Sequence, residues 1–363
     1  MLRRLIAAGI AALPASNPAW AQDSTPNSPV IVSGFVDVYY AYDFGRPTLS
    51  DRAYTTQAVR HNEANVNLAF ATLAVERGRA RAKLTLQAGT SVQSNYASEP
   101  SAGPTSGPLL ARHIQEAYAG IRLAPRLWLD AGISLGSLGW EGWISRDNPT
   151  YTRSLVAEFS PYYESGIRVV WEAGPRLLVQ GHIMNGWQRI SDDNDAKSAS
   201  VRVDVVVAPG VTVAAASFIG NEQPRESARS TRFFNQIMVK ANPRHDVLLQ
   251  GQVDVGRQLG PGGDAAWWGA VAIARLSLER RFAVVLRVER FADPDQVVAL
   301  TGGPAGLEVN GGSVGIDAIP SEGLLWRTEL RGFRASERVF PRGAGSAAGR
   351  SNTALVTSFA VTL

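Results

Sequence analysis

From Val30 to Leu363 the chain repeats one pattern: apolar and polar side chains alternate with a period of two. The stretch RARAKLTLQAG at 79–89 shows it, with Arg79, Arg81, Lys83, Thr85 and Gln87 on one phase and Ala80, Ala82, Leu84, Leu86 and Ala88 on the other. A strand sends successive side chains to opposite faces, so each such segment has one wet face and one oily face. The oily face must meet either a second sheet, as in a soluble sandwich, or lipid, as in a membrane barrel.

The pattern recurs. Val32, Val36, Val38, Tyr40 and Tyr42 oppose Ser33 and Asp37; Ile167, Val169 and Trp171 oppose Glu164, Arg168 and Glu172. Leu177, Val179, Ile183 and Trp187 face away from Arg176, Gln180 and His182, and Val201, Val203, Val205 and Val207 from Ser198, Arg202 and Asp204. The same holds for Val253 against Asp254, Leu286 against Arg287 and Glu289, and Leu330 against Arg327, Glu329 and Arg331. Segments 112–123, 265–276 and 306–318 are less regular. The count is about sixteen strands, within fourteen to eighteen.

The connections choose between sandwich and barrel. Tight ones fall at Gly78, 124–126, 174–175, 208–210, 242–244, 279–280 and 319–321. Long polar ones fall between them, at 44–62, 92–111, 137–163, 188–196, 220–230, 257–264, 292–305 and 335–351. Alternating short periplasmic turns and long external loops belong to an outer-membrane barrel, and a sandwich has no reason to gather its long loops at one end. Sixteen strands close into a barrel wide enough to hold water, so the wet face becomes a lumen. Closure also removes the unpaired edges that lipid could not satisfy. The expected fold is therefore an all-β transmembrane antiparallel barrel. Tyr40, Tyr42, Trp171, Trp187 and Trp267 fit interfacial aromatic girdles. Arg275, Arg290 and Asn235 fall on the lipid phase, the two arginines close to strand ends where a long side chain reaches the interface.

Composition agrees by what it excludes. Mean hydropathy is -0.06, an average that conceals a lipid-facing surface because the two phases cancel. After the first twenty residues no apolar run nears the ~18 residues that a spanning helix needs. The chain has no cysteine, so no disulfide framework, thiol nucleophile or thiolate metal site can form.

MLRRLIAAGIAALPASNPAWAQ opens the chain with Arg3 and Arg4, an apolar run from Leu5 to Leu13, and Ala19-Trp20-Ala21 as a small-x-small cleavage site. This reads as a signal peptide over 1–21, cleaved after Ala21. A polar lead-in at 22–30 and the barrel at 31–363 follow. Removing Arg3 and Arg4 lowers the net charge from +4 to +2, which disfavours nucleic acid as a partner. The chain ends inside a strand, NTALVTSFAVTL, with Leu355, Phe359, Val361 and Leu363 on one phase. Such a segment is what barrel-assembly machinery engages, although the last residue here is Leu363 rather than an aromatic.

GFVDVYYAYDFGRP (34–47) followed by RHNEANVNLAFATLAVE (60–76) resembles the opening of the putative beta-barrel porin-2 family, the OmpL-like porins of Gram-negative bacteria. The resemblance continues in NPTYTRSLVAEFSPYYESGIRVVW (148–171), NGWQRISDDNDAKSASVRV (185–203) and AAWWGAVAIARLSLERRFAVVLRVERFADPD (265–295), and runs through 33–363 in order. It implies an outer-membrane porin and carries over no catalytic residue.

The remaining constellations are weak. Asp192, Asp193, Asn194 and Asp195 could serve calcium, but the loop lacks an EF-hand's later Glu and central Gly, and Asx turns account for it better. His61, His113, His182 and His245 form no metalloprotease or hydrolase spacing. Wet-face mid-strand bases are Arg81, Lys83, Arg168, Arg202, Arg287, Arg327 and Arg331; the comparable acids are Asp37, Asp204, Asp254, Glu289 and Glu329. These are the pore-lining candidates, and seven against five implies a weak anion preference. The 137–163 connection, with Trp140, Glu141, Arg146, Asp147 and Arg153, either folds into the lumen as a constriction or packs outside.

The sequence thus describes a barrel in outer-membrane lipid that passes small hydrophilic solutes or ions without cofactor, metal or catalysis, and it leaves room for an oligomer. The alternatives are a barrel-type lipid hydrolase and a non-conducting structural or adhesive barrel.

Overall fold

The computed structural model describes residues 30–279, 281–344 and 346–363. The expected signal peptide at 1–21 lies outside the described residues, as does the lead-in up to residue 29. Val30 already belongs to the first strand.

Sixteen strands follow in order: β1 (Val30–Asp43), β2 (Glu63–Arg77), β3 (Ala80–Ala88), β4 (Ile114–Ala124), β5 (Leu127–Leu135), β6 (Tyr163–Gly174), β7 (Leu177–Met184) and β8 (Ser198–Ala208). Then come β9 (Val211–Asn221), β10 (Thr231–Arg244), β11 (Val247–Gly260), β12 (Gly263–Glu279), β13 (Phe282–Asp293), β14 (Leu307–Ser321), β15 (Leu324–Ala335) and β16 (Ser351–Thr362). Each pairs antiparallel with its sequence neighbours, and β1 also pairs with β16 in the register Asp37↔Ala360, so the sheet is a closed barrel. No helix of the described residues is long and apolar enough to cross a membrane.

One end of the barrel carries the tight turns. Gly78 (φ 62°) and Gly323 (φ 77°) supply there the positive φ that a two-residue hairpin needs. The other end carries the long connections, with one correction. The connection expected at 257–264 is itself a tight hairpin, because β11 and β12 pair all the way to Gly260↔Gly263.

The in–out assignment holds at the test positions. Leu84 and Leu286 are exposed on the outer face, whereas Thr85 and Arg287 are buried inside. Three expectations are corrected. Arg275 points inward, where it pairs with Asp317. Trp267 is buried in the lumen, stacked on Phe234, and Trp187 packs edge-on against both Phe218 and Trp267. Neither tryptophan is a girdle residue. Segment 265–276 is apolar on both phases, so periodicity could not assign its faces. The irregularity at 112–123 is a register shift between Thr85 and Leu86, which leaves Gln115 and Glu116 both buried.

Asn235 does lie on the outer face, where its Oδ1 accepts a hydrogen bond from Ser217 Oγ at 2.8 Å. Arg290 does too, with its guanidinium 5.6 Å from the Trp268 ring centre.

The interior is not uniformly wet. Phe218 of β9, Phe234 and Met238 of β10, Trp267, Val271 and Ile273 of β12, and Val285 and Phe291 of β13 point inward and are buried. They pack against Leu138, Trp140, Leu155 and Val156 of the β5–β6 connection. That connection is inside the barrel.

Candidate functional site

The β5–β6 connection is fastened to the inner wall by charge-assisted hydrogen bonds, the stronger kind. At its entry, Glu164 accepts from Ser137 N (3.3 Å) and Oγ (3.1 Å), and Arg202 Nη1 donates to the carbonyls of Ser137 (2.7 Å) and Gly139 (2.9 Å). Gln236 and Gln252 accept from Gly139 N and Trp140 N at 2.9 and 3.1 Å.

The middle of the connection sits on an arginine ladder. Arg327 donates to the carbonyls of Ser145 (2.7 Å), Asn148 (2.9 Å) and Pro149 (2.6 Å), and is itself held by Asp317 at 2.9 Å. Arg287 donates to Thr152 O (2.5 Å), Thr150 Oγ1 (3.0 Å) and Glu329 (2.7 Å). Glu329 accepts from Thr152 N at 2.7 Å, Glu289 from Leu155 N at 2.7 Å and from Arg331 at 2.8 Å, and Asp37 from Ser145 Oγ at 2.7 Å. Arg146 reaches Thr362 near the short-turn end, so the connection spans much of the lumen's depth.

A second inward element was not expected. The 44–62 connection also dips inside: Arg52, Gln57 and Ala58 are buried, Gln57 donates to Trp143 O at 3.1 Å, and Thr56 N donates to Glu158 at 3.1 Å. Arg153, completely buried, stacks 3.7 Å over the Tyr162 ring and bonds Thr56 Oγ1, which joins the two connections.

The inner-face charges therefore fall into two sets. Asp37, Arg287, Glu289, Arg327, Glu329 and Arg331 are covered by the connection, and Asp254 is buried between Gln236 and Gln252 at 3.0 Å from each. Arg81, Lys83, Arg168, Arg202 and Asp204 stand on β3–β8, where the connection leaves a gap of about 110 Å³. Glu116, Arg168, Gln180 and Arg202 line the wall side of that gap, and Trp140 and Asp147 the other side. Arg81 and Arg168 share Asp130 at 2.6 and 2.9 Å, Lys83 pairs with Glu116 at 2.5 Å, and Arg202 grips Asp204 with two bonds of 2.8 Å. The one carboxylate of Asp130 between two guanidiniums is a local surplus of one base, while over the whole wall Glu164 brings the balance to four bases and four carboxylates.

Asp147 keeps exposed surface at the gap while the protein packed around it strips much of its hydration. Burial raises its carboxyl above the ordinary value, against the pull of Arg146, Arg327, Lys240 and Lys83. Glu141, a buried residue of the connection itself, is also pushed up by burial, with Arg287 and Ser154 pulling it back. Sequence reasoning placed Trp140, Glu141, Arg146, Asp147 and Arg153 together. The structure sets Trp140, Glu141 and Asp147 along the gap and packs Arg153 away from it, over the Tyr162 ring.

The acidic 192–195 loop is closed by its own turns and by bases. Asp192 accepts from Asn194 N at 3.0 Å, Asn194 Oδ1 accepts from Ala196 N at 2.8 Å, and Lys197, Arg189 and Arg225 neutralise its three carboxylates. Among the described residues no cluster with metal-ligand character is present.

A closed antiparallel barrel of sixteen strands, apolar outside and polar inside, narrowed by an inward connection, defines the outer-membrane porin class. Residues 29–363 match the family described as "Putative beta-barrel porin-2, OmpL-like", and the chain belongs to that family.

Solved structures share the fold. The loop L8 deletion mutant of OmpT, an outer membrane protein of Vibrio cholerae, aligns at TM-score 0.62 with 8% identity, over 92% of this chain and 99% of that one. The outer membrane channel DcaP of Acinetobacter baumannii gives 0.60 and 9% over 91% and 96%, and the anion-selective porin of Comamonas acidovorans 0.57 and 10% over 92% and 99%. No curated protein matches the chain in sequence.

Proposed function

We propose that the barrel is a passive diffusion channel in which small hydrophilic solutes pass between the inward connection and the β3–β8 wall. The observation that carries this reading is the division of the lumen. The β9–β15 side is filled by the connection and an apolar core, while the β3–β8 side keeps a gap with Arg168, Gln180 and Arg202 on its wall and Asp147 opposite. No step in this reading calls for a catalytic group or a cofactor. The preceding export signal is cleaved after Ala21, and the C-terminal strand β16 is the segment that the assembly machinery engages.

The charges lining the gap are then Glu116, Arg168 and Arg202 of the wall, with Glu141 and Asp147 opposite. Arg81, Lys83 and Asp204 stand next to them on the same wall, paired with Asp130, Glu116 and Arg202. The surplus around Asp130 gives a weak anion preference, because a ring of charge biases which ions enter. The charges of β13 and β15 serve to seat the connection.

Reversal potentials across a salt gradient in planar bilayers test this. Wild-type channels favour anions at low salt, and Arg168→Gln with Arg202→Gln abolishes the preference. Near molar salt, where the Debye length is ~3 Å, most of it disappears. A cation preference overturns the selectivity. An absence of conductance overturns the channel reading and favours the structural barrel.

A further inference from the structure

The outer face of the barrel carries a feature that conduction does not use. On the long-connection side, Arg257 of β11, Arg290 of β13 and Arg334 of β15 are the only basic residues on the outward phase of the described strands. Each stands within four residues of its strand's end, on alternate strands of one sector. At comparable distances from the strand ends on that side, the outward phase of β3–β9 presents Leu86, Ala117, Ile133, Ile167, Ile183, Val201 and Ile219, with no base.

Register brings two of them into one cross-strand row, Arg290↔Asn310↔Arg334. Strands lie ~4.8 Å apart, so these arginines are ~10 Å from each other, with the Asn310 amide between them. Arg290 donates to Asn310 Oδ1 at 3.0 Å and leans on Trp268. A tryptophan at that level belongs to the membrane interface.

Protein acids do not satisfy these cations. Arg257 meets Asp264 at 3.5 Å and Arg290 meets Glu308 at 4.0 Å, both pairs largely exposed, and Arg334 has no ion pair among the described residues. Exposed pairs of that kind contribute little. A side chain reaching out from this phase meets the headgroups of the membrane. A guanidinium matches phosphate oxygens with two parallel bonds.

We propose that the outer rim of β11–β15 binds a phosphorylated lipid headgroup of the outer leaflet, gripped by Arg290 and Arg334 across Asn310, with Arg257 as a flanking contact. The spacing of the pair suits a headgroup carrying more than one phosphate. The proposal is independent of conduction, since none of the three side chains faces the lumen.

The test uses the refolded full barrel in detergent, with bisphosphorylated lipid A added and retained lipid read by native mass spectrometry. Wild type is expected to keep one molecule per chain. Lipid A stripped of both phosphates should be lost in the same wash, and millimolar inorganic pyrophosphate should fail to displace the intact lipid. Arg257→Gln, Arg290→Gln and Arg334→Gln together should weaken retention at least tenfold, with the heat-dependent gel shift and conductance unchanged. If the triple variant does not fold, Arg334→Gln alone, which breaks no ion pair, should weaken retention about threefold. Retention unchanged by these substitutions overturns the proposal, and so does equal retention of the phosphate-free lipid. Complete displacement by pyrophosphate also overturns it, because that marks a free-anion site.

Discussion

Arg287 shows how one side chain sets the shape of the lumen. Its guanidinium is fully enclosed, bonded at once to Glu329 and to the Thr150–Thr152 backbone and hydroxyls. Truncating one member of a buried ion pair leaves the other charge unpaired, which costs ~3–5 kcal/mol. Arg287→Gln should spend that loss on the seating of the connection rather than on the barrel, because the strand ladder is untouched. Trypsin should then cut at Arg146 or Arg153, which wild type protects, while the gel shift of the folded barrel persists. Protection equal to wild type would show that the ladder does not hold the connection. That Arg287 faces inward was legible from Leu286 and Val288 on either side. That it meets protein instead of water was not, because alternation reports the face of a strand and not what lies against that face.

Asp147 gives the residue-scale prediction for pH. Its carboxyl is raised by confinement, so it takes up a proton above the ~3.9 of an ordinary aspartate. As the pH falls through that raised value, the gap loses one negative charge opposite Lys83 and Arg168. Anion preference should therefore grow on acidification before ordinary carboxylates begin to titrate, and Asp147→Asn should show the enhanced preference at neutral pH with that step gone. A wild-type profile flat down to pH ~4 would contradict the assignment. The raised value also means that the ionised form is the costly one in the seated state, so Asp147 favours seating at low pH and opposes it as the pH rises through its value.

At the scale of elements, regular strands were legible and doubly apolar ones were not. Leu84 and Leu286 follow strict alternation and lie outward. Arginine at either should cost ~2–4 kcal/mol near the bilayer midplane. Gln180→Ala on the inner face should lose far less, as read by urea titration of the barrel in lipid vesicles; equal losses would break the in–out assignment. In β10 and β12, Phe233-Phe234, Ile237-Met238-Val239 and Trp267-Trp268 are apolar on both phases. Such runs mark strands covered on both faces, here by lipid outside and by the connection inside. That signal could have located the filled side of the lumen from sequence. It also explains why Arg275 was placed outside: with both phases apolar, the lone charge had no partner in sequence to fix its side, whereas in the fold Asp317 lies across the inner face. The long connection expected at 257–264 failed for a different reason, since Gly260-Pro261-Gly262-Gly263 is turn chemistry and its polar flanks are strand.

At the scale of the molecule, the closed barrel follows from sixteen alternating segments and the family resemblance, and the seam between β1 and β16 completes it. The division of the lumen is the part that only the fold reveals, because it depends on contacts between residues more than one hundred positions apart, such as Arg287 with Thr152. A chain without cysteine makes this division directly measurable. Gln180→Cys places a single thiol in the gap, and Ile273→Cys places one in the apolar core beneath the connection. Single-channel current recorded before and after a charged, water-soluble methanethiosulfonate reagent should fall for Gln180→Cys and stay constant for Ile273→Cys. Block at Ile273→Cys with none at Gln180→Cys would place the aqueous path on the other side of the barrel and contradict the account.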